Sequence, residues 1–263
     1  MIYIDDIVVT GSNSSQVQTT IQLLGDRFSI KDLSPLHFFL GVEVLRNAHS
    51  LILTQIGFIA DLLEKFSMLN SNSVGTPMSV GEALSLNDNS TPADAKLYIW
   101  QHWQATKRLL RYLKGTITYG LHFYPSSSLK LQAYSDVDWD GLTDTRHSTS
   151  AYVILLGNNP ISWCSKNQRT VARSSTKAEY RAVASVVVEL NWITSLLKDL
   201  HIPISSSPVV FCDNIGATYL SRNPVFHSHM KHVAIDFHFV RDLLERNKLS
   251  VNHIPTGDQL SDA

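Results

Sequence analysis

The second half of this chain predicts an α/β fold, a mixed sheet with flanking helices, preceded by a smaller and truncated α+β segment. Three observations carry that expectation. From about Leu129 the apolar runs follow the order β-β-β-α-β-α-α-β, a meander and then helix crossovers onto parallel strands. Between Asn70 and Lys96, Ser, Asn, Asp, Pro and Gly dominate and periodicity is lost, which separates the halves. Apolar residues at 44% and charged residues at 17% describe a folded, globular chain.

Each element has its own signal. Ile2–Ile4 and Ile7–Thr10 read as strand halves of a hairpin around Asp5-Asp6. Gln16–Phe28 has helical spacing through Val17, Ile21, Leu24 and Phe28, with Ser14 or Ser15 as N-cap. His37–Leu45 and Ser50–Leu53 form a β-pair, and a helix follows over Ile56–Phe66. After the Asn70–Lys96 loop, a helix spans His102–Lys114. Trp103, Leu109, Leu110 and Leu113 share one side of it, and Lys107, Arg108, Arg111 and Lys114 largely the other. Strands are expected at Leu129–Asp138, Ser148–Leu156 and Ser162–Ala172, the last two joined by Gly157-Asn158-Asn159-Pro160. A long helix runs from about Lys177 to Leu200, then come a buried-type strand Pro208–Asp213, helices Ile215–Arg222 and His229–Arg246, and a last strand Leu249–Ile254. There are no internal repeats.

Charge and cysteine usage narrow the function classes. At a net charge of −1 and a pI near 6.8, no global basic field announces a nucleic-acid binder, so such binding rests on local patches or metal ions. Cys164 and Cys212 match no zinc or redox spacing and fit free thiols of the nucleus or cytosol. The N-terminus carries acid where a signal peptide needs positive charge. The longest apolar run, Ala151–Leu156, is far short of the ~20 residues of a membrane span. A soluble intracellular protein with no membrane partner and no small-molecule cofactor is expected.

Asp136 lies within the first strand of the second half, Glu179 in the first turn of the long helix, Asp213 at the end of a strand, and Asp262 at an expected helix start after the last strand. Phosphodiester hydrolysis needs charge neutralisation, and two divalent ions about 4 Å apart activate water and stabilise the leaving oxygen. Such hard ions want carboxylates converging from separate elements. Each acid also has a structural explanation. Thr176-x-x-Glu179 matches a capping box, Asp213 could cap the helix beginning at Asn214, and Asp136 would face solvent if its strand slipped by one.

Ala133–Gly141, Ser174–Ala182, Phe211–Ala217 and Lys231–Arg241 resemble, in that order, blocks of the ribonuclease H domain of copia-type LTR retrotransposon Pol polyproteins. His253–Asp262 resembles that domain's closing block. The resemblance implies a ribonuclease H-like fold from about Leu129 to Ala263. It also implies Asp136, Glu179, Asp213 and Asp262 as catalytic, metal-binding acids for two Mg²⁺ or Mn²⁺ ions, and an RNA–DNA hybrid as substrate.

Tyr3-Ile4-Asp5-Asp6 resembles the reverse-transcriptase Tyr-x-Asp-Asp hairpin. Ile7–Ser12, Phe39–Val44, Leu53-Thr54-Gln55 and Thr76-Pro77-Met78 resemble further blocks of that polymerase. A helical hairpin normal to the family is missing between Tyr98 and Gln101, and no upstream aspartate or fingers precede Tyr3. The implied organisation is a reverse-transcriptase palm remnant over residues 1–69, a linker and connection helix over 70–128, and a ribonuclease H-like domain over 129–263.

Other features compete. His227, His229, His232 and His238 with Asp236 have zinc-compatible helical spacing, but a polar helix face is the expected reading. His253, on the last strand leading to Asp262, is a candidate for proton transfer. Trp139, Trp163 and Trp192 are expected to fill the core between sheet and helix rather than stack on nucleic acid. Lys166, Arg169, Arg173 and Lys177, clustered on the third strand and the start of the long helix, form a candidate phosphate-gripping surface. The expected function is metal-dependent cleavage of the RNA strand of a hybrid. The rivals are an inactive transposon relic and a host-adopted nucleic-acid-binding module.

Overall fold

The computed structural model describes residues 2–3, 6–33, 35–78, 95–125, 128–139, 146–222 and 234–262. The chain divides into two compact units: residues 1–78 with 103–121, and residues 79–102 with 122–263.

In the first unit, β1 (Ile2–Tyr3) pairs antiparallel with β2 (Asp6–Ile7), Tyr3 opposite Asp6. Asp6 thus opens the second strand; Ile4 and Asp5 lie outside the described residues. Helix α1 (Ser14–Arg27) is capped by Asn13, whose side chain accepts from the Ser15 and Gln16 N–H groups, in place of the expected serines. An Asn carbonyl placed before the first turn reaches two orphan donors at once. Strands β3 (Phe38–Phe39), β4 (Val42–Arg46) and β5 (Leu51–Thr54) pair antiparallel in sequence order. Helix α2 (Ile56–Lys65) has no capping side chain of its own; the Gly57 N–H donates instead to Glu43 on β4 at 2.8 Å.

Helix α3 (Ala95–Gly115) starts earlier than its periodicity suggested, and its faces are not divided as expected, although Leu110 is buried. Leu109 is 45% exposed, whereas Arg108, Arg111 and Lys114 donate to Thr76 Oγ1, Asn72 O and Ser71 O. The stretch after Asn70, expected as a free loop, is tied down by those cations as far as Thr76. Long basic side chains bury their stems while bonding carbonyls that have no ladder partner.

Strand β6 (Leu121–Phe123), which was not expected, is the fourth strand of the sheet ordered β3-β4-β5-β6. In the second unit, its successor Tyr124 exchanges two hydrogen bonds of 2.9 Å with the Asn159 side chain. Strands β7 (Leu131–Asp138), β8 (Thr149–Leu156) and β9 (Asn159–Asn167) form an antiparallel meander. The β8–β9 hairpin closes on Gly157-Asn158, with Gly157 at φ 62°. Helix α4 (Ser175–Asp199) crosses over to β10 (Val209–Cys212), parallel to β7. Helices α5 (Ile215–Arg222) and α6 (Ala234–Glu245) cross over to β11 (Ser250–His253), parallel to β10. The sheet order is β11-β10-β7-β8-β9. With two helical crossovers onto the parallel side, this is the ribonuclease H-like mixed sheet with flanking helices that the sequence predicted.

The core lies beneath α4. Tyr180, Val183, Val186, Val187 and Leu190 pack there against Leu131, Ala133, Ile154 and Val210, all at most 1% exposed. Trp139, Trp163 and Trp192 are not part of it: they are 48%, 58% and 59% exposed, which corrects the core-filling expectation. The layer between helix and sheet is filled by Tyr180 with Val, Ala, Leu and Ile side chains instead. None of the described helices is long and apolar enough to cross a membrane.

We predict that Ile154→Ala, emptying a fully buried site, lowers unfolding free energy by about 3 kcal/mol. Trp163→Ala on the exposed edge strand should lower it by less than about 1 kcal/mol. Urea titration of the two variants checks the contrast.

Candidate metal centre

The central strand β7 places Asp136 near its C-terminal end, where the residue is 8% exposed. The neighbouring parallel strand β10 ends at Cys212, and Asp213 follows it. At the C-terminal edge of parallel strands the chain leaves the ladder, so side chains there turn toward a common crevice.

Glu179 approaches from α4. Its carboxylate, the Cys212 thiol and the Asp213 carboxylate each offer an atom within 4.8 Å of the others. Ser174, not Thr176, caps α4, accepting from the Lys177 N–H, so Glu179 stands in the second turn and belongs to no capping box. Asp213 is not the cap of α5 either, since Asn214 Oδ1 accepts from the Ala217 N–H at 2.9 Å. The Asp213 carboxylate instead accepts from Thr256 Oγ1 at 3.0 Å. His253 Nε2 lies 3.1 Å from the Asp213 carbonyl. Gly216 lets α5 meet the start of α4, since a Cβ there would lie 2.9 Å from Thr176 Cγ2.

The electrostatics bind the three acids into one group. Burial pushes the Glu179 carboxyl up to about 8, and the charges of Asp136 and then Asp213 push the same way. A hydrogen bond from the Cys212 thiol opposes the rise. Burial likewise pushes that thiol up to about 12, so it stays protonated beside Glu179.

The fourth acid stands apart. Asp262 is exposed and lies in no helix; like Asp136 it is outside the Glu179–Cys212–Asp213 group, but unlike Asp136 its charge is not among those that raise Glu179. The anticipated helix start is replaced by a short 3-10 turn over Thr256–Asp258. The segment is nonetheless anchored. Buried Gln259 donates to the Ser135 carbonyl, one residue from Asp136, at 2.8 Å, and accepts from Ser261 Oγ at 3.1 Å. Cys212, Thr256 and Gln259 were not singled out as site residues. Cys212 reads simply as one more apolar strand position, and the other two are visible only once β11 lies beside β10.

Of the basic group, Lys166 lies on β9 and Lys177 in the first turn of α4. Arg169 and Arg173 lie in the loop between these elements, because β9 ends at Asn167 rather than continuing to Ala172. Lys166, Arg169 and Arg173 are exposed and Lys177 is half-buried. His227, His229 and His232 lie outside the described residues, as does the Asp236 side chain; His238 is exposed on α6.

The reverse transcriptase (RNA-dependent DNA polymerase) family matches residues 1–80. The chain is 42% identical over 293 residues to the retrovirus-related Pol polyprotein from transposon RE2 of Arabidopsis thaliana, covering 100% of this chain and 20% of that protein. It is 35% identical over 222 residues to an uncharacterized mitochondrial protein of the same plant, covering 73% of this chain and 92% of that one. Among solved structures, LC11-RNase H1 isolated from compost aligns with a TM-score of 0.38 and 19% identity, over 49% of this chain and 86% of that one. The fold assignment rests on the strand order, not on that alignment. The chain belongs to the family of copia-type retrotransposon Pol polyproteins. It spans about a fifth of the length of the RE2 polyprotein.

Because Glu179 titrates near 8 when folded and near 4.5 in its ordinary state, the folded chain retains a proton that the unfolded chain has already released between those values. That contribution is fully present below about pH 4.5 and is lost as pH rises toward 8. We predict that metal-free protein loses on the order of 2 kcal/mol of stability between pH 5 and pH 8. Glu179→Gln should flatten that slope. Urea midpoints measured across the range in EDTA check it; an unchanged slope in the variant would assign the pH dependence elsewhere.

Proposed function

We propose that the region from about Leu129 onward is a ribonuclease H-type endonuclease cleaving the RNA strand of RNA–DNA hybrids. The residues before it are a reverse-transcriptase remnant without polymerase activity. One observation carries the reading: Glu179 and Asp213, far apart in sequence, come within ligand reach of one another, and the charge of Asp136 acts on the same buried Glu179 carboxyl.

That group fits divalent cations. Burial pushes the Glu179 carboxyl up to about 8, the charges of Asp136 and Asp213 add to the rise, and added positive charge would favour the ionised form. Asp136, Glu179 and Asp213 would hold two Mg²⁺ or Mn²⁺ ions. When bound there, such ions would activate a water and stabilise the leaving oxygen of a phosphodiester. Thr256 holds the Asp213 carboxylate in place, and Cys212 fixes one Glu179 oxygen. Asp262 stands three residues past Gln259, within about 10 Å of extended chain, and is proposed as the fourth ligand. Lys166, Arg169, Arg173 and Lys177 would grip the phosphates of the hybrid, and 2′-hydroxyl contacts would select the RNA strand. The free thiols Cys164 and Cys212 suit a reducing compartment, the cytoplasm or nucleus.

Tyr3, Asp5 and Asp6 form the remnant of a polymerase site. The division into residues 1–69, 70–128 and 129–263 follows from the same reading. The RE2 alignment, longer than the 263 residues of this chain by thirty, supports a missing stretch within it. The second reading, an inactive relic, is favoured by the exposed, non-helical position of Asp262.

Mg²⁺ or Mn²⁺ should support cleavage of a labelled hybrid by the purified chain, and Asp136→Asn should reduce it to background. The ions should raise the melting temperature of wild type and not of Asp136→Asn. Cleavage equal in both proteins would identify a contaminant, and none in either would favour the relic. Primer extension by the same 263-residue chain should be undetectable, because two adjacent carboxylates do not by themselves position a nucleotide.

A further inference from the structure

Trp139 follows the last residue of β7 and stands three positions after Asp136. Strand alternation places it on the side of Val137, which packs with Ala172, Ala178 and Ala182. Its indole Nε1–H donates to the Ala172 carbonyl at 3.2 Å, which uses the one donor the side chain has. Yet 48% of the residue is exposed. What faces solvent is ring surface with no polar atom left to offer.

A single exposed tryptophan needs no explanation by itself; the setting of this one does. The loop that holds it is braced. Gln168 Nε2 donates to Ser150 Oγ and to the Ala178 carbonyl, both at 2.8 Å, and Arg181 donates to the Thr170 carbonyl at 3.0 Å. The same loop carries exposed Arg169, and exposed Arg173 follows Ala172 directly. Trp139 is therefore tied to the braced loop that carries Arg169 and Arg173, three positions along the chain from Asp136. Trp163 lies on the edge strand β9 and Trp192 in the C-terminal half of α4.

We infer that Trp139 is a positioning residue that packs its indole face against sugar rings in the minor groove of a bound RNA–DNA duplex. In a duplex the bases are already paired and stacked, so an apolar ring meets sugars instead. An A-like helix displays those sugars in a wide, shallow minor groove. Contact there sets how deep the backbone sits against Asp136, Glu179 and Asp213. The inference rests on the hybrid-binding reading above and adds the residue that sets register.

The test measures affinity of the full chain for a fluorescein-labelled RNA–DNA duplex by anisotropy in EDTA, across a series of salt concentrations. Trp139→Leu should weaken binding about tenfold. Trp139→Phe keeps a ring but cannot donate to Ala172, and should stay within about threefold of wild type. The salt slope should be the same in all three proteins, since no phosphate contact is removed. Trp139→Gln, which retains a donor but no ring, should behave like the leucine variant and replaces it if that variant does not fold.

Unchanged affinity in Trp139→Leu overturns the inference. So does a phenylalanine variant as weak as the leucine one, or a salt slope reduced by about one, either of which assigns Trp139 to holding the basic loop. Wild type that binds no duplex overturns this inference together with the hybrid-binding reading. Trp139-dependent binding without cleavage on adding Mg²⁺ upholds it and overturns the nuclease reading alone.

Discussion

Helix α4 buries Tyr180, Val183, Val186, Val187 and Leu190 against the sheet, and that apolar contact determines where the charges go. Once the helix lies across β7 and β10, the position of Glu179 is no longer free. It sits one residue before Tyr180 and must enter the space above the strand ends. There burial drives its carboxyl up to about 8, and the charges of Asp136 and Asp213 push the same way. Hydrophobic burial at roughly 25 cal/mol per Å² over several large side chains outweighs the cost of one protonated carboxyl. The fold therefore tolerates a locally unfavourable arrangement that a divalent cation would relieve.

The same logic explains the surroundings of the acids. Cys212 is fully buried with its thiol against Glu179, so it serves as a weak donor to a crowded oxygen. Thr256 and Gln259 come from the segment after β11 and tie it to Asp213 and to the β7 backbone. Those bonds bring the chain beyond β11 close to Asp136 without a helix.

The two units differ in how much core they hold. In the first, Val44, Leu63 and Leu110 are the buried apolar side chains among the described residues, and α1 buries none. Leu23, Phe28, Leu33, Phe38 and Phe58 remain between 56% and 72% exposed. Few deep side chains mean low local stability, so opening there is expected to precede opening of the α4 sheet.

Hydrophobic periodicity by itself determined the order of elements from β7 to β11, because period-2 and period-3.6 patterns are local properties of the chain. The acids Asp136, Glu179 and Asp213 were legible in the sequence for a related reason. Each sits at an element end or inside an apolar run, where a carboxylate either caps a helix or answers to another charge. Only the tertiary structure decided among the competing explanations for them. It put the cap of α4 on Ser174 and the cap of α5 on Asn214, which left Glu179 and Asp213 to each other. It also moved Trp139, Trp163 and Trp192 out of the core and left Asp262 exposed. Caps, contacts and exposure depend on which distant segment lies alongside, and spacing along the chain does not carry that information.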